Sequence, residues 1–508
     1  MMNQIVRMRV TVLLIIVAVM WTNHTIWGNV RMESLQSNFE ITRGVNISHW
    51  LSQSKDRGEL RKSKFGKDEV AFLKKMGFDH LRLPVDEEQL FTSSGDIDTE
   101  TMGLIHQAIS WCREFQMRII VDFHILRSHH FGNNERPLWT DPIEQDKFIH
   151  LWKLINRELE KYPESLLAYE LLNEPVAPEN GVWNELAKRL IKELREVASK
   201  RMLILGSNSY NSVNTIKDLQ IPKGDRNIML TFHCYEPYLL THYRASWTDF
   251  AKLDMALTYP GDLINEKDFE KLSDEEKKIV APYRRMYSKR TIAHEIEQAL
   301  KVAKDNGVRL YCGEFGCLPF GNHASRYNWY RDLISIFQKK KVAYACWDYK
   351  SIFGFCNTDK TIKDGVLLAI LQGKDIRDWE QKSLIEAEKC EMIGSSLSII
   401  ANPYASNGEV VKDFFGNCSL IFNVVTENAG EYLFKIRYTS GEDVGLNLQI
   451  GNSRQVIRCP NTGGWYDKFE ETEIYINLPK GQSVLCITPG MNGGPILDKF
   501  ELFKEVTD

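Results

Sequence analysis

Short apolar runs alternate with longer amphipathic stretches from about Ile41 to Gly373. Such runs predict strands buried on both faces, and apolar residues three or four positions apart, as in Ile149, Trp152 and Ile155, predict helices. The predicted strands are Arg43–Ile47, His80–Pro84, Arg118–His124, Leu166–Asn173, Met202–Gly206, Ile228–Tyr235, Arg309–Glu314 and Val342–Tyr349. The predicted helices are Lys67–Met76, Thr99–Phe115, Pro142–Lys161, Val182–Lys200, Thr291–Asp305 and Arg326–Lys340. This alternation predicts an α/β fold, a (β/α)8 TIM barrel, over residues 39–373.

After Gly373 the pattern changes to short strands separated by Gly, Asn and Pro turns. The predicted strands are Leu420–Val425, Tyr432–Tyr438, Leu446–Ile450, Gln455–Cys459, Glu473–Leu478, Ser483–Thr488 and Ile496–Phe503. Closely spaced short strands are typical of an antiparallel β-sandwich, here jelly-roll-like and predicted over residues 386–508. The charged stretch between the two regions predicts a short, docked connector over residues 374–385.

The amino terminus has the pattern of an export signal. Arg7 and Arg9 precede the apolar run Val10–Met20, which is too short to span a bilayer comfortably. We expect residues 1–28 to be a signal peptide, and the mature protein to be secreted or periplasmic with no membrane contact. A retained membrane anchor is the alternative.

Composition narrows the class of protein. The chain has 508 residues, too many for one core, with 43% hydrophobic residues and a net charge of −4. No concentrated basic face is predicted, which argues against nucleic-acid binding. Neither a CxxC nor a HExxH pattern occurs, so no zinc site is predicted. Cys234, Cys312 and Cys346 fall in apolar runs and are expected to be buried, and a disulfide between Cys312 and Cys317 is left open.

Two glutamates end predicted buried strands: Glu174 in Leu172-Asn173-Glu174-Pro175, and Glu314 in Cys312-Gly313-Glu314-Phe315-Gly316. Because burying a lone carboxylate is costly, acids in such positions often have a chemical role. Two carboxyls in one pocket supply the proton donor and the nucleophile or base that glycosidic cleavage needs. The alternative is two structural carboxylates in separate salt bridges. Further polar or aromatic side chains fall at strand ends: Arg82, His124, Asn173, His233, Tyr235 and Trp347.

Seven motifs occur in one order along the predicted barrel. They are Gly44-Val45-Asn46, Gly77-Phe78-Asp79-His80-Leu81-Arg82-Leu83-Pro84, Val121-Asp122-Phe123-His124, Leu172-Asn173-Glu174-Pro175, Phe232-His233-Cys234-Tyr235, Gly313-Glu314-Phe315-Gly316 and Ala345-Cys346-Trp347. In these motifs the chain resembles glycoside hydrolase family 5, the cellulase-like retaining barrel enzymes. The pair His129-His130 departs from the common pattern, and we expect it to line the sugar site or to hold its loop by hydrogen bonds.

The resemblance implies a role for each catalytic carboxyl. Glu314 is expected to be the nucleophile, held by Arg82 and hydrogen-bonded by Tyr235. Glu174 is expected to be the general acid/base, oriented by His233. Such a mechanism needs one ionised and one protonated carboxyl, so their environments must separate their pKa values.

The resemblance also implies the sugar contacts and the substrate. Asn173 is expected to bind the 2-hydroxyl, His124 other hydroxyls, and Trp347 to stack under the ring. The implied activity is a cofactor-independent, monomeric endo-β-1,4-glucanase acting on β-linked glucan. Activity on mannan, xyloglucan, mixed-linkage glucan or β-1,3-glucan stays open, as does transglycosylation. A non-catalytic glycan-binding protein with an inactive barrel is the alternative of another class. The charged segment His242–Lys289 is expected to shape the substrate cleft or to be a surface loop.

The tail resembles carbohydrate-binding modules of families 6 and 35. The resemblance rests on Ile385-Glu386-Ala387-Glu388, Ala429-Gly430-Glu431-Tyr432, Arg437-Tyr438, Thr462-Gly463-Gly464-Trp465 and Leu497-Asp498. It implies a structural calcium ion held by Glu386, Glu388 and Asp498, which offer the oxygen ligands that a hard cation prefers. Trp465 is a candidate sugar platform. Because Ile496 stands where such modules often carry a polar residue, a purely structural module stays open.

Overall fold

A computed structural model describes residues 39–374 and 379–505. Contacts divide the chain into two compact units. The first runs to Leu253 and resumes over Lys289–Lys374, and the second combines Asp254–Ser288 with the C-terminal region from Asp375.

Eight parallel strands close into a barrel in the first unit. They are Arg43–Asn46, His80–Val85, Arg118–Phe123, Leu167–Glu170, Met202–Gly206, Ile228–Cys234, Arg309–Phe315 and Ala343–Cys346. Each strand pairs with the next in sequence, and the first pairs with the eighth. The prediction of a (β/α)8 barrel is confirmed, and each predicted strand overlaps an observed one.

Helices follow the barrel strands. The α-helices of this unit within the described residues are Gly58–Ser63, Lys67–Lys75, Glu87–Leu90, Thr99–Glu114, Pro142–Leu159, Asn180–Val197, Tyr238–Thr241, Lys289–Asp305, His323–Lys340 and Gly365–Leu371, with 3-10 turns at Pro137–Trp139 and Ile216–Asp218 and a left-handed turn at Asn208–Asn211. Asp98 caps one long helix by accepting a hydrogen bond from the Thr101 amide. Such caps satisfy the first amides of a helix, which lack partners within it.

Apolar side chains fill the barrel. One buried cluster combines strand residues with the segment that precedes the first strand, and its members are Phe39, Ile41, Ile120, Ala168, Met202, Ile204, Met229, Tyr311 and Ala345. A side chain at Gly44 would lie 2.4 Å from the buried ring of His80, so only glycine fits there. The packed interior leaves chemistry to the carboxyl ends of the strands.

The second unit contains part of the predicted insertion. Gly261–Asp262 and Met286–Tyr287 pair as a small antiparallel hairpin, and between them lie the helices Glu266–Glu270 and Asp274–Val280 and the 3-10 turn Ala281–Tyr283. Asp262 forms an ion pair of 2.9 Å with Arg458 of the C-terminal region. The segment Asp254–Ser288 therefore packs as part of the second unit, which the sequence did not predict.

Two antiparallel sheets form the rest of the second unit. In one, Ser398–Ala401, Glu409–Lys412, Ile496–Glu505, Gly430–Thr439 and Glu470–Leu478 are neighbours in that order, and Trp379–Glu386 also pairs with Ile496–Glu505. The other has the order Glu391–Ile393, Ser419–Thr426, Gly481–Pro489, Val444–Ile450 and Ser453–Cys459. The rings of Phe422, Phe434 and Phe500 stack within the buried core.

The sandwich is confirmed, but its start was placed too late. The predicted connector 374–385 contains most of the strand Trp379–Glu386, whose charged residues hide the alternation of an edge strand. The strands Glu391–Ile393, Ser398–Ala401 and Glu409–Lys412 are short and were also missed.

The predicted signal peptide, residues 1–28, lies outside the described residues. Within the described ranges, no helix has the length and apolarity needed to cross a membrane. All ten cysteines are free thiols, so Cys312 and Cys317 do not pair. Cys234, Cys312 and Cys346 are buried as predicted.

Candidate active site

Glu314 reaches its position through an irregularity at the end of the seventh barrel strand. Phe232 pairs with Cys312, but the next residue, His233, pairs with Glu314, so the strand carries one extra residue at Gly313. Such a bulge redirects the side chains that follow it. A side chain at Gly313 would lie 2.7 Å from Thr231 Oγ1. Glycine is therefore required for the strands to approach and to bring Glu314 beside His233.

The carboxylate of Glu314 accepts two hydrogen bonds in a buried position. Arg82 Nη1 donates to Oε1 at 2.7 Å, and the Tyr235 hydroxyl donates to Oε2 at 3.0 Å. Bonds from charged and phenolic donors favour the ionised form of a carboxyl. These are the contacts that the family resemblance implied for Glu314.

Arg82 is fully buried and saturated with acceptors. Its Nε and Nη2 donate to the two carboxylate oxygens of Glu170, each at 2.8 Å. It also donates to the side-chain oxygens of Asn46 at 2.9 Å and Asn173 at 2.8 Å, and Asp122 lies 3.0 Å away. Removing such a guanidinium would leave buried carboxylates unpaired, at a cost of about 3–5 kcal/mol. Arg82 therefore holds the neighbouring carboxylates and amides in place, and it also stabilises the negative charge of Glu314.

Glu174 follows the fourth strand in a left-handed backbone conformation, with φ of 45°. Such a conformation costs a non-glycine residue energy and persists only where surrounding contacts enforce it. His233 Nδ1 lies 2.9 Å from Glu174 Oε1. Ligand atoms of Glu174, His233 and Glu314 all lie within 4.8 Å of one another. The two glutamates therefore face each other across one gap, as predicted.

The two carboxyls differ in electrostatic environment. Burial raises the pKa of Glu174 to about 8, against the opposing effect of Arg82, and the neighbouring Glu170 raises it further. Burial also raises the pKa of Glu314, but Arg82 donates directly to that carboxylate and opposes the rise. The raised pKa of Glu174 favours its protonated form, and the direct bonds from Arg82 and Tyr235 favour the ionised form of Glu314.

Side chains suited to bind a sugar surround this pair. Asn173 accepts from Arg82 through Oδ1, which leaves its buried Nδ2 without a protein partner. The rings of His124 and Trp347 stack in parallel, with centroids 5.7 Å apart. Asp122 Oδ2 lies 2.6 Å from His124 Nδ1 and orients that ring. The expected sugar-binding residues therefore lie at the same rim as the carboxyls.

Several residues of the site had no predicted role. Asn46, Asp122 and Glu170 each contact Arg82 in the folded barrel. Their positions in the sequence do not indicate these contacts. His129 packs edge-on against Trp139, and its Nε2 lies 3.1 Å from the backbone oxygen of Glu174. It therefore holds the loop, the second of the two roles expected for it.

The predicted calcium ligands converge in part. Ser406 Oγ lies 2.7 Å from Glu386 Oε2 and 3.0 Å from Asp498 Oδ1, and Asn407 Nδ2 donates to Glu388 Oε1. One oxygen of Glu388 is buried without a partner, as a cation site would leave it, but Arg437 pairs with Asp498.

In the part of the chain that the structure describes, the one group of three ligand atoms within 4.8 Å is Glu174, His233 and Glu314. At this group the Arg82 guanidinium, which forms an ion pair with Glu314, supplies the positive charge that a metal ion would otherwise supply.

Comparisons with known proteins agree with this geometry. Residues 43–352 match the family described as Cellulase (glycosyl hydrolase family 5). Endoglucanase C of Acetivibrio thermocellus is 28% identical over 334 residues, which cover 65% of this chain and 97% of that protein. Cellodextrinase A of Ruminococcus flavefaciens is 28% identical over 332 residues, covering 64% and 91%.

A solved structure of Thermotoga maritima Cel5A with mannotriose superposes with a TM-score of 0.54 at 23% identity, covering 66% of this chain and 98% of that one. The chain belongs to glycosyl hydrolase family 5 and is a glycoside hydrolase that acts on O-glycosyl bonds.

Proposed function

We propose that the protein is a secreted, retaining endo-β-1,4-glucanase. The observation that carries the mechanism is the pair Glu174 and Glu314, whose oxygens approach within 4.8 Å. Retaining enzymes hold their carboxyls about 5–5.5 Å apart, whereas inverting enzymes need about 6.5–9.5 Å to admit a water molecule. The gap supports direct attack by one carboxylate on the sugar.

The two half-reactions divide the work between the carboxyls. In the first, a Glu314 oxygen bonds to the anomeric carbon while the glycosidic bond breaks and the Glu174 proton passes to the departing oxygen. In the second, Glu174 takes a proton from water as the water attacks the anomeric carbon and releases Glu314. Once Glu314 is esterified its negative charge is gone, so the pKa of Glu174 falls, and the carboxylate left by the first step stays ionised until it takes a proton from the attacking water.

The ground for a β-1,4-glucan substrate is the names of the relatives, two of which are an endoglucanase and a cellodextrinase. Asn173 supplies an unpartnered Nδ2 for the 2-hydroxyl, and Trp347 beside His124 supplies a flat ring for stacking. Mannan, xyloglucan, mixed-linkage glucan and β-1,3-glucan are the other substrates to compare.

A panel of these polysaccharides tests the proposal, with product sizes read by chromatography. We expect the β-1,4-glucan to be cut fastest, with a mixture of internal fragments appearing early. Glu174→Gln and Glu314→Gln are the matched inactive controls. Binding without turnover by the wild type and both variants would instead support a glycan-binding protein with an inactive barrel.

The pH dependence of kcat/KM follows from the two environments. The enzyme needs Glu174 protonated and Glu314 ionised, so activity on glucan should fall as pH rises through about 8, the pKa of Glu174, and fall again in acid as Glu314 gains a proton. A 2,4-dinitrophenyl β-cellobioside, whose leaving group needs no proton, should keep only the acid limb. If activity falls at the same alkaline pH with both substrates, the assignment of Glu174 as the general acid is wrong.

For the C-terminal sandwich we propose a carbohydrate-binding-like module with a structural calcium site at Glu386, Glu388 and Asp498. Its support is Ser406, which contacts both Glu386 and Asp498, Asn407, which donates to Glu388, and the unpartnered buried oxygen of Glu388. Because a ligand that binds only the folded state stabilises it, added Ca²⁺ should raise the melting temperature of the full chain. Glu388→Gln should abolish that rise. An equal rise in both proteins would refute the site.

Export is proposed on the ground of the N-terminal pattern alone. Arg7, Arg9 and the apolar run Val10–Met20 predict cleavage near residue 28. Amino-terminal sequencing of the protein from culture medium or periplasm tests it, and a retained Met1 in a cell-bound protein would contradict it.

A further inference from the structure

A strained turn follows the fifth barrel strand. Ser209, Tyr210 and Asn211 have φ values of 58°, 64° and 54°, three consecutive left-handed residues without a glycine. Each costs roughly 1–2 kcal/mol relative to an ordinary conformation. Such strain persists where contacts over-determine it, and it concentrates at functional sites. The contacts of this turn therefore identify what it positions.

Hydrogen bonds hold the turn, and one of them reaches the residue after the acid/base. The Tyr210 amide donates to the backbone oxygen of Pro175, which directly follows Glu174, at 3.2 Å. Thr215 Oγ1 donates to the Asn208 oxygen at 2.6 Å. The Asn211 side chain is completely buried, and it fits only because Gly206 lacks a side chain, whose first carbon would lie 2.0 Å from Asn211 Oδ1.

Asn211 reaches the second ring nitrogen of His233. Its Nδ2 lies 3.2 Å from His233 Nε2, while His233 Nδ1 lies 2.9 Å from Glu174 Oε1. With the amide nitrogen as donor, Nε2 accepts and the ring proton sits on Nδ1, which faces Glu174 Oε1 and, at 3.6 Å, Glu314 Oε2. Burial lowers the pKa of His233 to about 4, so the ring is neutral at working pH. The Nδ1 proton is then donated to Glu174 Oε1.

We propose that Asn211 is a positioning residue for acid catalysis: by fixing the tautomer of His233, it confines the transferable proton of Glu174 to Oε2. The inference rests on the proposed function of Glu174 as general acid. With the opposite tautomer, His233 Nδ1 would accept the Glu174 proton and hold it away from the departing oxygen. Asn211 thereby keeps the acid's proton available without touching the substrate.

The test is a change of leaving group across matched variants. Asn211→Asp replaces the donor by an acceptor of equal size, which calls for a proton on His233 Nε2. That change either moves the ring proton from Nδ1 to Nε2 or protonates both ring nitrogens. In the first case Nδ1 accepts the Glu174 proton, and in the second the charged ring favours the ionised form of Glu174. In both cases the leaving group loses its proton donor. We expect kcat/KM for phenyl β-cellobioside to fall about 100-fold, the lower end of the range for general acid catalysis. The value for 2,4-dinitrophenyl β-cellobioside should change less than about threefold, because that leaving group departs without a proton.

Ser209→Ala is the control, since Ser209 lies in the same strained turn with an exposed side chain and should match the wild type on both substrates. Equal losses of Asn211→Asp on both substrates, or no loss on either, would overturn the proposal.

A second measurement does not depend on turnover. The ¹⁵N NMR signals of the His233 ring in the wild-type protein should show a protonated Nδ1 and a bare Nε2. A bare Nδ1 would overturn the inference even if the variants fail to fold. If instead no aryl β-cellobioside is cleaved by the wild type while the ring shows the expected tautomer, the proposed function fails and the positioning of His233 by Asn211 stands.

Discussion

Replacing Glu314 by glycine should lower kcat on β-glucan by about 10⁵- to 10⁶-fold, the size of loss seen when a covalent nucleophile is removed. The loss follows because the carboxylate that bonds to the anomeric carbon is gone, and Arg82 and Tyr235, the groups that donate to it, cannot replace it as a nucleophile. Added azide should then fit the space of the missing carboxylate and attack an activated β-cellobioside directly. A single displacement inverts configuration, so the product should be the α-glycosyl azide.

Glu314→Gln provides the matched control for this experiment. The amide keeps the shape of the carboxylate, so it should lose activity equally but leave no room for azide. A β-glycosyl azide from the glycine variant, or activity within tenfold of wild type, would assign the nucleophile to another group.

Replacing Glu174 by alanine should have a different signature. Without the proton donor, kcat/KM on glucan should fall by about 10²- to 10⁴-fold, whereas 2,4-dinitrophenyl β-cellobioside should still form the glycosyl-enzyme at nearly the wild-type rate. Because the base for water is also missing, that intermediate should accumulate and give a burst of dinitrophenol. Azide needs no base and should release the sugar as the β-glycosyl azide, by two successive inversions.

The opposite azide products distinguish the two carboxyls independently of how far each activity falls. An α-azide from the Glu174 variant would exchange the roles assigned here. If no burst occurs and kcat/KM falls equally for phenyl and 2,4-dinitrophenyl β-cellobioside, then Glu174 supports the fold of the site without transferring a proton.

The sequence predicted the barrel and the main site residues for a common physical reason. Parallel strands buried on both faces read as continuous apolar runs, so a polar residue at the end of such a run is conspicuous. Glu174, Glu314 and Arg82 were identified in this way. Because the carboxyl ends of all barrel strands meet at one rim, their convergence followed from the fold.

Other features leave no local pattern. The sequence Ser209-Tyr210-Asn211 does not indicate three left-handed residues, because glycine is the usual signal for that conformation. The bulge at Gly313 depends on the neighbouring strand, and the ion pairs of Glu170 and Asp122 depend on a guanidinium far away in sequence. The packing of Asp254–Ser288 in the second unit likewise rests on tertiary contacts such as Asp262 with Arg458.

Glu314 and Glu174 face each other across a gap of less than 5 Å, from which we infer that they cleave a β-glycosidic bond by two displacements. The most direct measurement is ¹H NMR of the anomeric proton during the first minutes of cello-oligosaccharide hydrolysis, before mutarotation. With two displacements, the β-anomer of the new reducing end should appear first and the α-anomer should grow in later. Initial release of the α-anomer would contradict it, because a single displacement by water would then be the mechanism.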